Sequence, residues 1–245
     1  SGRSVFRQGA LDNVFLIEML REGKLDIPAA AAPGDKGVKL DANRMMFMGH
    51  SQGGVVGVLL ATVEPHFRAF LLSGAGGGLS MTAVLRKDIV NFPELIQNTL
   101  DLDDGELSEF HPALSLIQLL VDITDPLSYG REVFVREDGV RPPHVLMTQG
   151  RLDAASVAPT AEALAASMQL AILKPAAHLS EAAVALKTPV LPLPVSNNLK
   201  FGKYKTTGLL VQYPKGDHFV IFDNASAGEM YADFLFSVAS TGEAI

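Results

Sequence analysis

Apolar and polar positions change period several times along the chain. Leu11, Val14, Phe15, Glu18 and Met19 fall at helical spacing among strong helix formers, and Gly23 marks a stop. The segment from Pro28 to Gly34 reads as a loop. Arg44 to Gly49 is a short apolar run of the kind found in buried parallel strands. Gly53 to Val63 is rich in small and aliphatic residues and reads as a buried helix. Phe67 to Ser73 predicts a second strand, closed by Gly74 to Gly78. His144 to Thr148 predicts a third, ended by Gly150, and Gly208 to Tyr213 a fourth, ended by Pro214 and Gly216. A last helix begins near Ser226, where Ser226 and Glu229 fit a capping box and Met230, Phe234, Leu235 and Val238 follow at helical spacing.

Strands alternating with helices imply a parallel sheet with helices on its faces. Two stretches break the alternation. Thr82 to Tyr129 reads as mostly helical with no strand signal, as an inserted cap would. Leu173 to Lys205 holds Pro175, Pro189, Pro192 and Pro194 and reads as a long irregular excursion.

Composition removes several function classes. The 245 residues suit one large domain, or one domain with an insertion. The formal charge of −7, with no run of Lys and Arg, argues against a nucleic-acid partner. Cysteine is absent, which excludes disulfides, thiolate metal sites and cysteine nucleophiles. No apolar run reaches the roughly 20 residues of a membrane span. Neither an HExxH motif nor an acidic metal cluster is present, so no cofactor or metal is expected.

The sharpest local feature is Gly49-His50-Ser51-Gln52-Gly53-Gly54, which fits G-x-S-x-G between an apolar strand and a small-residue helix. Such a turn holds its serine in a strained conformation at the C-terminal end of the sheet. Glycines on both flanks remove clashing side chains, and the helix N-terminus favours developing negative charge. Ser51 is therefore the candidate nucleophile.

A serine needs a base. Of six histidines, His50 lies inside the turn and should point away. His66 and His144 flank strand starts, the wrong end of a parallel sheet for chemistry. His111 falls in the cap region and His178 in the Pro-rich excursion. His218 follows the last strand, in a C-terminal loop that can reach Ser51. The orienting carboxylate is Asp153, which follows the strand ending at Gly150. Asp217, adjacent to His218, and Asp125, in the cap, are weaker rivals. The chain order is serine, aspartate, histidine.

These residues give the chain a resemblance to the α/β-hydrolase superfamily, on the lipase and esterase side. The likeness rests on Gly49 to Gly54, the Gly150–Asp153 turn and the Asp217-His218 loop, and does not extend to the two insertions. It implies an α/β-hydrolase fold, a mostly parallel sheet with helices on both faces and a helical cap. Residues 1–80 would form hydrolase core with the nucleophile turn, 81–140 a cap or lid, and 141–245 core with acid and base. The implied roles are Ser51 as nucleophile, His218 as general base, Asp153 as orienting acid and the Gln52 N–H as an oxyanion donor.

The resemblance also implies about four strands before the nucleophile strand, yet only about 45 residues precede the turn, with one clear helix. The expectation is that the N-terminal part of the sheet is absent from this chain and that a companion fragment of the same precursor docks there. The cap carries apolar groups, including Val84, Leu85, Ile89, Val90, Leu114 and Leu120, suited to an acyl wall or a lipid-facing lid. The expected substrate is a small-molecule or lipid ester. A peptidase or thioesterase on the same triad, and an inactive hydrolase-like binding module, stay open. Relatives of this type are often secreted or placed in the cell envelope, but no residue here sets the compartment.

Overall fold

A computed structural model describes residues 4–88, 90–135 and 139–244. Ile89, counted above among the apolar cap positions, and the chain start from Ser1 to Arg3 lie outside the described residues. In chain order the elements are α1 (Val5–Arg21), β1 (Met46–His50), α2 (Gln52–Val63), β2 (Ala69–Ser73), α3 (Leu79–Leu85), α4 (Phe92–Leu100), α5 (Pro112–Val121), β3 (His144–Gly150), α6 (Ala158–Ser167), β4 (Ala171–Leu173), α7 (Glu181–Ala185), β5 (Val190–Leu191), β6 (Leu199–Phe201), β7 (Tyr204–Thr206), β8 (Gly208–Tyr213), α8 (Val220–Asp223) and α9 (Ala225–Thr241).

One parallel sheet runs β1-β2-β3-β8-β4-β5, and β6 with β7 forms a separate antiparallel hairpin. Its register sets His50 opposite Ser73, Ser73 opposite Thr148 and Gly150 opposite Tyr213. The C-terminal ends of β1, β2, β3 and β8 are therefore level, and the loops that leave them gather at one edge of the sheet.

β2 and β3 are buried along their whole length, which is why their sequences read as apolar runs without alternation. Phe70, Leu72, Val145 and Met147 pack on one face with Val56, Leu59 and Leu60 of α2. Leu71, Leu146 and Leu209 pack on the other face with Phe234 and Val238 of α9. α2 is apolar nearly all round because it lies between the sheet and α1.

The four predicted strands are present, and two other expectations need correction. The region after Leu173 is not wholly irregular: it contains α7, β5 and the β6–β7 hairpin, and β4 with β5 extends the sheet beyond β8. These strands have two or three residues each, too short for periodicity to reveal. The last helix starts at Ala225, and Asn224 Oδ1 caps it by accepting from the Ala227 N–H at 3.1 Å, so the Ser226–Glu229 box does not form. The predicted first helix is present as α1. Ala10 and Ile17 are buried, whereas Leu11, Phe15 and Met19 point to solvent, Phe15 with 77% of its surface exposed.

The helices of the 81–140 stretch are tied to the core by Asp125. This fully buried carboxylate accepts from the N–H groups of Gly78 at 2.9 Å, Leu79 at 2.7 Å and Leu127 at 2.9 Å, and from the Gln118 amide at 2.9 Å. It caps the start of α3, so Asp125, a weaker rival for the orienting carboxylate, has a structural task.

Candidate active site

The turn from β1 into α2 carries Ser51 at φ 56° and ψ −122°. A residue with a Cβ occupies that region at a cost on the order of 1–3 kcal/mol, which only a well-determined surrounding sustains. The Ser51 N–H donates to Ser73 O at 2.8 Å, and Ser51 O accepts from Gly54 N at 2.9 Å. Ser51 is also the residue preceding the helix, where a serine side chain commonly accepts a backbone N–H. Here the hydroxyl makes no such bond and is left available. Gln52 is the first residue of α2, and the first N–H groups of a helix have no acceptor within it. The positive end of α2 thus faces the serine.

The two flanking glycines have unequal reasons. A Cβ on Gly49 would overlap the Gly53 carbonyl and approach the Phe47 ring to 2.7 Å. A Cβ on Gly53 would meet nothing within 4 Å. The expected clash therefore holds at Gly49 and not at Gly53.

Asp153 and His218 come together from separate loops. Asp153, buried after β3, accepts through Oδ1 from the N–H groups of Ala155 at 2.8 Å and Ser156 at 2.7 Å. Its Oδ2 accepts from His218 Nδ1 at 2.8 Å. The carboxylate can only accept, so His218 donates from Nδ1, which in the neutral ring leaves the lone pair on Nε2. The His218 ring packs against the end of β2, where a Cβ on Gly74 would lie 3.1 Å from it. Ser156 Oγ fastens the same corner by donating to Gly74 O at 2.5 Å. No hydrogen bond joins Ser51 to His218 among the described residues.

The rival groups are engaged elsewhere. Asp217 Oδ1 accepts from Phe219 N at 2.9 Å. His111 caps α5, His178 Nδ1 lies 3.0 Å from Glu162, and His66 Nδ1 lies 2.5 Å from Glu64. His66 and His144 line a cavity of about 370 Å³ at the opposite, N-terminal end of the strands.

His50 does not point away as expected. Its ring centroid lies 4.7 Å from that of His218, with Phe219 at 5.5 Å and Phe222 at 4.9 Å, and its Nδ1 lies 3.3 Å from Ser73 Oγ. Strand alternation puts His50 on the face of Met46 and Met48, from which His218 also approaches. Burial holds the His50 pKa below its ordinary value, and the charge of His218 adds to that. Sequence reasoning missed it because the ring's neighbour lies far along the chain.

A cavity of about 260 Å³ opens beside Ser51, lined also by Phe6 of α1, Leu79 and Thr82 of α3, Arg86 and Thr160. Among the described residues no group of three His, Asp or Glu side chains is gathered as metal ligands would be. No helix among them is long and apolar enough to cross a membrane.

No protein-family model and no curated protein matches the chain. Similarity appears among solved structures. An acetyl xylan esterase from Paenibacillus sp. R4 superposes with a TM-score of 0.54 at 12% identity, over 95% of this chain and 52% of that one. A 2,6-dihydroxy-pseudo-oxynicotine hydrolase gives 0.51 at 14% identity, over 100% of this chain and 49% of that one. The chain spans about half the length of each. The fold is that of the α/β-hydrolases.

Proposed function

We propose that this chain is a serine hydrolase that cleaves carboxylic esters through an acyl-enzyme on Ser51. The observation that carries the reading is the Asp153–His218 hydrogen bond of 2.8 Å, formed between two loops at the sheet end that also carries a strained serine whose hydroxyl is not used as a helix cap. The two solved structures similar in fold, one an acetyl xylan esterase and the other a hydrolase, support it.

In the proposed reaction Ser51 Oγ attacks the ester carbonyl carbon while His218 Nε2 takes its proton. Asp153 holds the imidazole and stabilises its charged form. The carbonyl oxygen becomes an oxyanion that the Gln52 N–H meets at the start of α2. The carbon–oxygen bond to the alcohol then breaks, and His218 gives its proton to that oxygen. Water repeats the sequence on the acyl-enzyme, releasing the acid and restoring Ser51. Residues 81–140 would act as the cap over this site.

A second reading concerns what covers β1. Among the described residues this strand pairs on one side only, with β2, and Met48 on it is 40% exposed. An open apolar edge of this kind is a template for further strands. A companion segment of the same precursor, paired along β1, fits it.

Kinetics on matched oxyester, thioester and peptide substrates tests the function. Turnover of the oxyester, lost in Ser51→Ala, is the expected result. Turnover of the thioester or peptide alone would move the chain to another hydrolase class, and turnover of none would leave a binding module.

A further inference from the structure

The cavity beside Ser51 carries an inference about the substrate that rests on the serine-hydrolase reading. Arg86, just past α3, is the one charged residue lining it among the described residues. Its guanidinium is held in place from two directions. Nε donates to Asp88 Oδ1 at 2.6 Å and Nη2 to Asp88 Oδ2 at 3.1 Å. The Phe92 ring lies 5.7 Å from the guanidinium carbon. A two-point carboxylate pair and a ring face fix the plane of the group before any ligand arrives. Two of the five N–H groups of an arginine are used in this way, and the other three have no partner among the described residues. A preorganised, unsatisfied guanidinium edge at a cavity wall fits a carboxylate.

The position of the cavity tells which part of the substrate meets Arg86. Ser51 lines the cavity and His218 does not. The leaving alcohol takes its proton from His218 and so departs on that side. The group that stays bonded to Ser51 is the acyl group, and the cavity lies on its side. At about 260 Å³ the space is smaller than the ~300–1,000 Å³ of sites for drug-sized ligands, so the acyl group is short.

We infer that Arg86 is a specificity-determining residue and that the preferred substrate is a monoester of a short dicarboxylic acid. One carboxyl is the ester that Ser51 attacks. The other is ionised and pairs with the free edge of Arg86. Hydrolysis consumes one water and releases the alcohol and the diacid.

The test compares kcat/KM for the 4-nitrophenyl monoester of succinic acid with that for 4-nitrophenyl butyrate, which has the same acyl length without the charge. The protein should favour the succinate ester by about tenfold or more, the size of one charge-assisted contact. Arg86→Gln should bring the ratio near one. Asp88→Asn, which leaves the guanidinium less compensated, should raise it and serves as a second variant if Arg86→Gln fails to fold. A ratio near one in the unmodified protein, or one that Arg86→Gln leaves in place, overturns the assignment while the serine-hydrolase reading stands. If neither ester is turned over, calorimetry of succinate with Ser51→Ala decides. Binding that Arg86→Gln removes upholds the site and leaves the hydrolase reading to fail, and absence of binding overturns the site.

Discussion

The two halves of the candidate active site stand on unequal parts of the sheet. Asp153 and His218 leave β3 and β8, which are flanked by strands on both sides. Ser51 leaves β1, flanked among the described residues on one side, with Met48 exposed along it. The acid and base are already hydrogen bonded to each other, whereas Ser51 and His218 share no hydrogen bond. A central strand holds its loop from two sides, and an edge strand holds it from one. The Asp153–His218 pair is therefore held on two central strands, whereas the candidate nucleophile Ser51 is held on an edge strand.

The largest effects should separate the chemistry of the two halves. Ser51→Ala should lower turnover by about 10⁵-fold or more with the fold retained. Asp153→Asn should lower it by about 10³–10⁴-fold, because the amide no longer holds the Nδ1 proton of His218. Steady-state kinetics on one ester substrate checks both, and equal losses would contradict the difference in roles.

The central strands should also carry a pH-dependent stability. His144 begins β3, is 1% exposed, and accepts the Thr207 N–H through Nδ1 at 3.0 Å. Burial first, and then the charge of Arg141, holds its pKa down at about 4, against 6.5 in the unfolded chain. Between these values the unfolded chain binds a proton that the folded one refuses. The stabilisation is complete above pH 6.5 and falls as the pH drops toward 4, by about 3 kcal/mol for this group. Urea unfolding from pH 4 to 7 should show this slope, and His144→Asn should flatten it.

Glycine substitutions sharpen the contrast at smaller scale. At Gly150, beneath Asp153, a Cβ would overlap the Asp217 carbonyl oxygen, and Gly150→Ala should destabilise by about 1–3 kcal/mol. At Gly53 on the nucleophile side a Cβ meets open space inside a helix, so Gly53→Ala should stabilise by about 0.5–1 kcal/mol. Melting temperatures should move in opposite directions. The smallest effect belongs to the β1 edge. The chain should associate weakly as its concentration rises, and Met48→Lys should reduce that association, as a charge on an open edge does. Sedimentation velocity reads the difference.

Ser51, Asp153 and His218 were legible as candidates because each sits within a few residues of a strand end that the apolar pattern already marked. The local sequence around Ser51 holds the small residues that the turn needs, and Gly150 and Gly216 punctuate the loops of Asp153 and His218. What stayed hidden depends on distant neighbours. Which face of α1 is buried follows from where α2 lies, and helical spacing alone does not tell it. The His50 ring turns toward His218 because α8 brings Phe219 and Phe222 to the same face. β4 and β5 are too short to show a period, and their pairing with β8 and each other is set by the sheet. Arg86 carries no motif, and only the cavity gives it a meaning.

The most direct test of the central claim is intact-mass spectrometry of the protein after reaction with a fluorophosphonate, with the adduct mapped by peptide sequencing. One adduct on Ser51 is the expected result, formed far more slowly in His218→Gln. An adduct on another residue, or a labelling rate at Ser51 indifferent to His218, would contradict a nucleophile activated by the Asp153–His218 pair.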